Sequence, residues 1–79
     1  MNPAQMIDRG RNAKLALESS VLNECFDAIE ADQYDIFLAS KPEDDTLRRT
    51  CQDRINAIRD VRQQLGSWKR TGEAVERQG

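Results

Sequence analysis

Histidine is absent from all 79 residues. That removes Ser-His-Asp and Cys-His catalysis, histidine-bearing zinc sites and imidazole switching near neutral pH. Only two cysteines occur, Cys25 and Cys51, each set in an apolar helical pattern. They read as reduced core residues of a cytosolic chain and not as a disulfide framework. Prolines are confined to positions 3 and 42 and glycines to 10, 66, 72 and 79, so the stretch from Arg11 to Lys41 holds no helix breaker. Strand signals are missing as well: there is no Asn-Gly or Asp-Gly pair and no alternating run of β-branched residues. The longest uncharged stretch is seven residues, against the roughly twenty needed to span a bilayer. Met1 to Gly10 lacks a basic segment followed by an apolar one, so no secretory signal is read. The chain is expected to stay in the cytoplasm where it is made, or in a particle assembled there.

Apolar residues make up 38% of the sequence, and eight of those thirty are alanine, which leaves twenty-two side chains large enough to build a core. At roughly 1.5–3 kcal/mol per fully buried large side chain, they barely offset an ordering cost of about 1.5 kcal/mol per residue. Self-association or a protein partner is therefore expected. Charged residues account for 33% of the chain with a net charge of only −2. That balance gives no general reason to expect nucleic acid or membrane binding.

The punctuation predicts three helices. Asn2-Pro3 reads as an N-cap followed by proline at the first helical position, where its missing N–H costs nothing. Ser19-Ser20 interrupts the first helix, because serine hydroxyls compete for the backbone and favour caps, and Ser19 is the expected cap of a second helix. That helix carries Leu22, Cys25, Phe26, Ile29, Ile36 and Phe37 at helical spacing and ends before Pro42. Lys41 to Thr46 is the turn, with Asp44 or Asp45 capping the third helix. There Leu47, Cys51, Ile55, Ile58, Val61 or Arg62, Leu65 and Trp68 follow three-four spacing, and Gly66 marks fraying or a cap.

Net charge is +2 over residues 1–17, −8 over 18–45 and +4 over 46–79. The expected fold is all-α: an antiparallel helical hairpin of an acidic helix over about 20–39 and a basic helix over about 45–67, whose opposite charges favour this pairing. A short N-terminal helix precedes it and a flexible tail follows, with residues 70–79 expected to be mobile within one small domain spanning 1–79. A turn centred near Lys41-Pro42 sets Phe26 against Ile58, Leu22 against Val61, and Trp68 near Leu15 and Leu17. Cys25 and Cys51 are then out of step by about 10 Å along the axis, too far for a disulfide.

Few constellations point to chemistry. Glu43-Asp44-Asp45 is the densest acidic cluster, and it reads as capping and solvation of a helix start, with no second cluster to complete a metal cage. Arg9, Arg11 and Lys14, with Lys69 and Arg70, are the candidate phosphate contacts. Small groups diluted by Asp8, Asp53 and Asp60, without interleaved aromatics, read first as solvated helix surface. The serines and cysteines lack a suitable general base, and there is no glycine-rich phosphate loop. No enzymatic activity, cofactor or metal is expected. Tyr34, Phe37 and Trp68 are candidate protein-interface residues, since aromatics are enriched as anchors. Glu24, Asp27, Glu30 and Asp35 form a candidate acidic face able to mimic a polyanion.

The run Arg9-Gly10-Arg11-Asn12-Ala13-Lys14-Leu15, the acidic amphipathic helix, Lys41-Pro42-Glu43-Asp44-Asp45-Thr46, and the ending Leu65-Gly66-Ser67-Trp68 with Thr71-Gly72 together resemble small helical proteins that tailed bacteriophages encode among their head and packaging genes. The resemblance covers most of residues 9–72. It implies a protein of virion structure or assembly, found in the host cytoplasm or the virion, that acts through helix–helix contacts with itself or a larger phage protein. Two alternatives stand beside it. One is a nucleic-acid-binding packaging or regulatory accessory, which is not favoured; the other is a small inhibitor of a host protein that uses the acidic face as a decoy.

Overall fold

A computed structural model describes all 79 residues as three helices with no strand: α1 (Pro3–Glu18), α2 (Ser20–Ala39) and α3 (Asp45–Gln78). Local signals set most of the boundaries. Asn2 Oδ1 accepts the Gln5 N–H at 2.8 Å while the Gln5 side-chain oxygen accepts the Asn2 N–H at 3.0 Å. This reciprocal capping box satisfies two otherwise orphaned donors at the start of α1. Ser19 adopts an extended backbone and serves both helices, ending α1 and capping α2 through an Oγ that accepts the Leu22 N–H. The Asn23 side-chain amide donates at 2.9 Å both to the carbonyl of Leu17, at the end of α1, and to that of Ser19, which also accepts the Asn23 backbone N–H. Of the two candidate caps for α3, Asp44 is the one used, accepting the Leu47 N–H, with Asp45 in the first turn where its charge complements the helix dipole.

The third helix corrects the expected end near residue 67. It runs on to Gln78, and residues 70–78, expected to form a mobile tail, are two further helical turns. Gly66 and Gly72 keep helical backbone, and the last turns are held from outside: Gly72 is buried against Gly10, and Glu76 pairs with Arg11. A glycine lowers helix propensity by only about 1 kcal/mol relative to alanine, which a packed surface overrides.

At 34 residues and 1.5 Å per residue, α3 is about 51 Å long, nearly the whole 55 Å length of the molecule. The two shorter helices share it. α2 lies along the first half of α3 and α1 along the second, with little contact between α1 and α2. The radius of gyration is 16.8 Å, against about 12 Å for a compact domain of this length. Such a shape leaves little interior, and only six of the 79 residues are buried. These are Gly10, Ala13, Gln33, Cys51, Ile55 and Gly72.

The two junctions differ in kind. Between α1 and α3 the backbones themselves meet: a β-carbon placed on Gly72 would stand 2.9 Å from Gly10 Cα and 3.0 Å from the Met6 carbonyl oxygen. Along α2 and α3 the contacts are between long side chains, and they climb α3 as they descend α2. Arg48 lies over the Phe37 ring and donates to Ser40 Oγ, Arg59 donates to Tyr34 Oη at 2.7 Å, and Arg62 lies over Phe26 and pairs with Asp27 at 2.8 Å. Phe26 is thus covered by Arg62, one turn beyond the Ile58 set against it in the expected register, because side chains lean toward the N-terminus of their own helix. Trp68 also sits elsewhere than expected. Its ring lies under Arg9, beside Gln5, Asn12 and Ala13, while Leu15 is exposed.

Candidate functional site

The α2–α3 layer leaves a largely apolar face partly uncovered. On α2, Leu22, Cys25, Ile29, Asp32, Ile36 and Ala39 follow one another at alternating spacings of three and four. On α3, Leu47, Cys51, Arg54, Ile58, Val61 and Leu65 do the same. Such spacing brings residues to one stripe of a helix. The α2 stripe is partly open: Leu22, Ile29 and Ile36 are 37–40% exposed and Cys25 is exposed as well. On α3, Leu47 and Val61 are exposed, Ile58 and Leu65 half-buried, and only Cys51 is closed off.

The residues that hold α2 to α3 lie beside these stripes. Phe26, Gln33 and Phe37 on α2 turn toward Arg48, Ile55 and Arg62 on α3. At about 100° per residue, each stripe sits roughly a quarter turn from its helix's contact line. The contacts of Arg48 with Phe37 and of Arg62 with Phe26 rise along α3 as they descend α2, and with that order the two quarter turns point the same way, so the stripes lie side by side on one surface. The sequence pattern, wide enough to span this quarter turn, predicts one buried seam. The structure divides it, sending Phe26 and Phe37 inward and leaving Leu22, Cys25, Ile29 and Ile36 outside.

The face carries one charged side chain on each helix, Asp32 on α2 and Arg54 on α3, both exposed. Neither takes part in any of the four ion pairs of the chain. Beside them Gln33 is 7% exposed with its side-chain oxygen unpartnered, and the middle of the layer is therefore polar.

The candidate interface aromatics are all engaged inside the chain. Tyr34 is exposed but accepts from Arg59; Phe37 and Trp68 are half-buried under Arg48 and Arg9. Of the candidate acidic residues, Glu24, Asp27 and Asp35 are exposed on the outer side of α2, with Asp27 tied to Arg62, whereas Glu30 turns toward α3 and buries a carboxylate oxygen. The candidate phosphate contacts come together only in part. Arg11, Lys14 and Lys69 line one crevice beside Gly10 and Gly72, but Glu73 and Glu76 line it too. Each cation has a carboxylate nearby: Arg11 with Glu76, Lys14 with Glu18, and Lys69 with Glu73. Arg9 is on the other side against Trp68, and Arg70 is exposed away from the crevice. The result is a surface of alternating sign rather than a basic patch.

No three Cys, Asp or Glu side chains converge as a metal site requires, and no helix is long and apolar enough to cross a membrane. Comparison with known proteins finds no matching family model, no matching curated protein and no matching solved structure.

Proposed function

We propose that the chain is a non-enzymatic structural or assembly protein of a tailed-phage virion, acting as an antiparallel helical hairpin through helix–helix contacts with proteins. The observation that carries the contact reading is the uncovered face of Leu22, Ile29, Ile36, Leu47 and Val61 on a chain with six buried residues. Apolar surface gathered into one patch is the usual mark of an association site. The phage setting rests on the sequence resemblance alone. The test is purification of intact particles from an infected culture, followed by mass spectrometry. Recovery of the chain at a fixed copy number per particle is expected, and its absence from both mature and immature particles overturns the reading.

A second reading, an inhibitor of a host protein, draws on Glu24, Asp27 and Asp35 along the outer side of α2. It predicts capture of one basic host protein that is lost when Glu24 and Asp35 are changed to lysine. The nucleic-acid reading has less behind it, because the cations it needs alternate with carboxylates. It predicts binding that weakens steeply with salt.

A further inference from the structure

We propose that the uncovered α2–α3 face is a self-complementary dimer interface, on which a second copy of this chain sets its own α3 along α2 and its α2 along α3. This deepens the helix-contact reading by naming the occupant of the face. Three observations carry it.

The first is the pattern. Both stripes keep alternating three-four spacing for about three heptads, and this is the repeat by which helices interlock in bundles. Residues that merely happened to be exposed would not hold that phase on two helices and point to one surface. The second is size. Twenty residues of α2 span about 30 Å, and two helices side by side about 20 Å. That makes a face of roughly 600 Å² per copy, close to the roughly 800 Å² per partner of stable protein interfaces.

The third is charge. Each stripe admits one ionised residue, and the two are of opposite sign, Asp32 on the acidic helix and Arg54 on the basic one. Counting back from the turn between Ala39 and Asp45, they stand at about the same level of the layer. A twofold axis parallel to the helices keeps every residue at its own level. It therefore gathers Asp32 and Arg54 of one copy with the Asp32 and Arg54 of the other into one neutral layer of four charges. The apolar levels of Leu22 with Leu65, Ile29 with Ile58 and Ile36 with Cys51 then stack on their own kind. Slippage by one turn sets the Asp32–Arg54 level of each copy against isoleucine or valine of the other and breaks the four-charge layer, so the polar layer fixes the register. The same axis sets the acidic α2 against the partner's basic α3, with the two α1 helices at one end of the assembly.

Sedimentation equilibrium on the purified full chain at micromolar concentration tests the proposal. A species of twice the 9.0 kDa chain mass is expected, and a monomer throughout overturns it. Ile29→Glu places a charge in the centre of the interface and is expected to weaken association at least about thirtyfold, the effect of an interface hot spot of 2 kcal/mol. Far-UV circular dichroism is expected to remain helical, since Ile29 lies off the α2–α3 contact line. A dimer that survives this substitution overturns the assignment of the face.

Charge exchange separates contact between copies from contact within one. Asp32→Arg alone puts four cations in the layer, and Arg54→Asp alone puts four anions there; each variant is expected to be monomeric. Mixed in equal amounts they restore a neutral layer, and a heterodimer is expected. Failure of the mixture to associate overturns the layer. Particle purification distinguishes this inference from the reading beneath it. A monomer that still travels with particles removes the dimer and keeps the assembly role, whereas a dimer absent from particles does the reverse.

Discussion

The two halves of α3 meet their neighbours by opposite means. In the second half, glycine faces glycine, and α1 is brought so near that backbone atoms fill the junction. In the first half, α2 is held off by Phe26, Gln33 and Phe37 and by the arginines that cover them, and its contacts run through side-chain tips. Ile55 and Gly72, buried positions of the two halves, are seventeen residues apart on α3. At 3.6 residues per turn that places them about 100° apart around the helix. Thus α1 approaches α3 from a different side than α2 does, and it covers the part of the α3 stripe that contains Gly72. The same stripe is left open where Leu47 and Val61 lie. One half of α3 is closed over by its own chain at Gly72, and the other leaves Leu47 and Val61 exposed.

The contrast can be broken from either side, and the largest effect is expected in the open half. Ile55→Ala removes most of the only large aliphatic side chain that is fully enclosed there, and should cost about 2–5 kcal/mol. A thermal melt followed at 222 nm measures the loss, while Trp68 fluorescence in the cold should stay at its parent value because the α1 junction is untouched. Gly72→Ala attacks the closed half. Its β-carbon meets the α1 backbone at Gly10 and Met6, which cannot yield as a flexible side chain can, and a loss of about 1–3 kcal/mol is expected. Trp68 emission should shift to the red as α1 lifts away, the reverse of the Ile55 result.

Gly66→Ala is the control that sharpens this. A β-carbon at Gly66 meets only the tip of Arg70, with Nη1 at 3.1 Å. Relief of the glycine penalty should then win, raising stability by about 1 kcal/mol. If Gly66→Ala and Gly72→Ala have the same sign in a urea titration, close backbone packing is not what closes the second half. The smallest change is expected for Arg11→Ala. Its partnership with Glu76 lies on the surface, where such pairs contribute about 0–1 kcal/mol, and even that should fade as salt is added to the melt.

Much of this layout is legible in single residues. Asn2, Ser19 and Asp44 announce their caps because a short polar side chain before a helix has a local task that needs no distant partner. The division of labour among apolar residues is not legible in the same way. Leu22, Ile29 and Ile36 look as well suited to burial as Phe26 and Phe37, and nothing along the chain separates the stripe that α3 covers from the stripe that it leaves bare. Trp68 shows the same limit. Its partial burial is readable from its place in the α3 stripe, but its cover comes from Arg9, an exposed-looking cation whose side chain lies over the indole ring.

Sequence by itself determined the number of helices, their starts, the breaks at Ser19 and Lys41–Asp44, and the absence of histidine chemistry, since each depends on groups within a turn or two of one another. Tertiary structure alone decided that α3 continues to Gln78, that Gly10 and Gly72 are contact points rather than breakers, and that the apolar pattern of α2 is shared between an inner and an outer face. Those outcomes depend on which surfaces meet across the molecule. A glycine has no side chain to advertise the neighbour that needs its smallness, and a leucine carries no mark of the partner that will cover it.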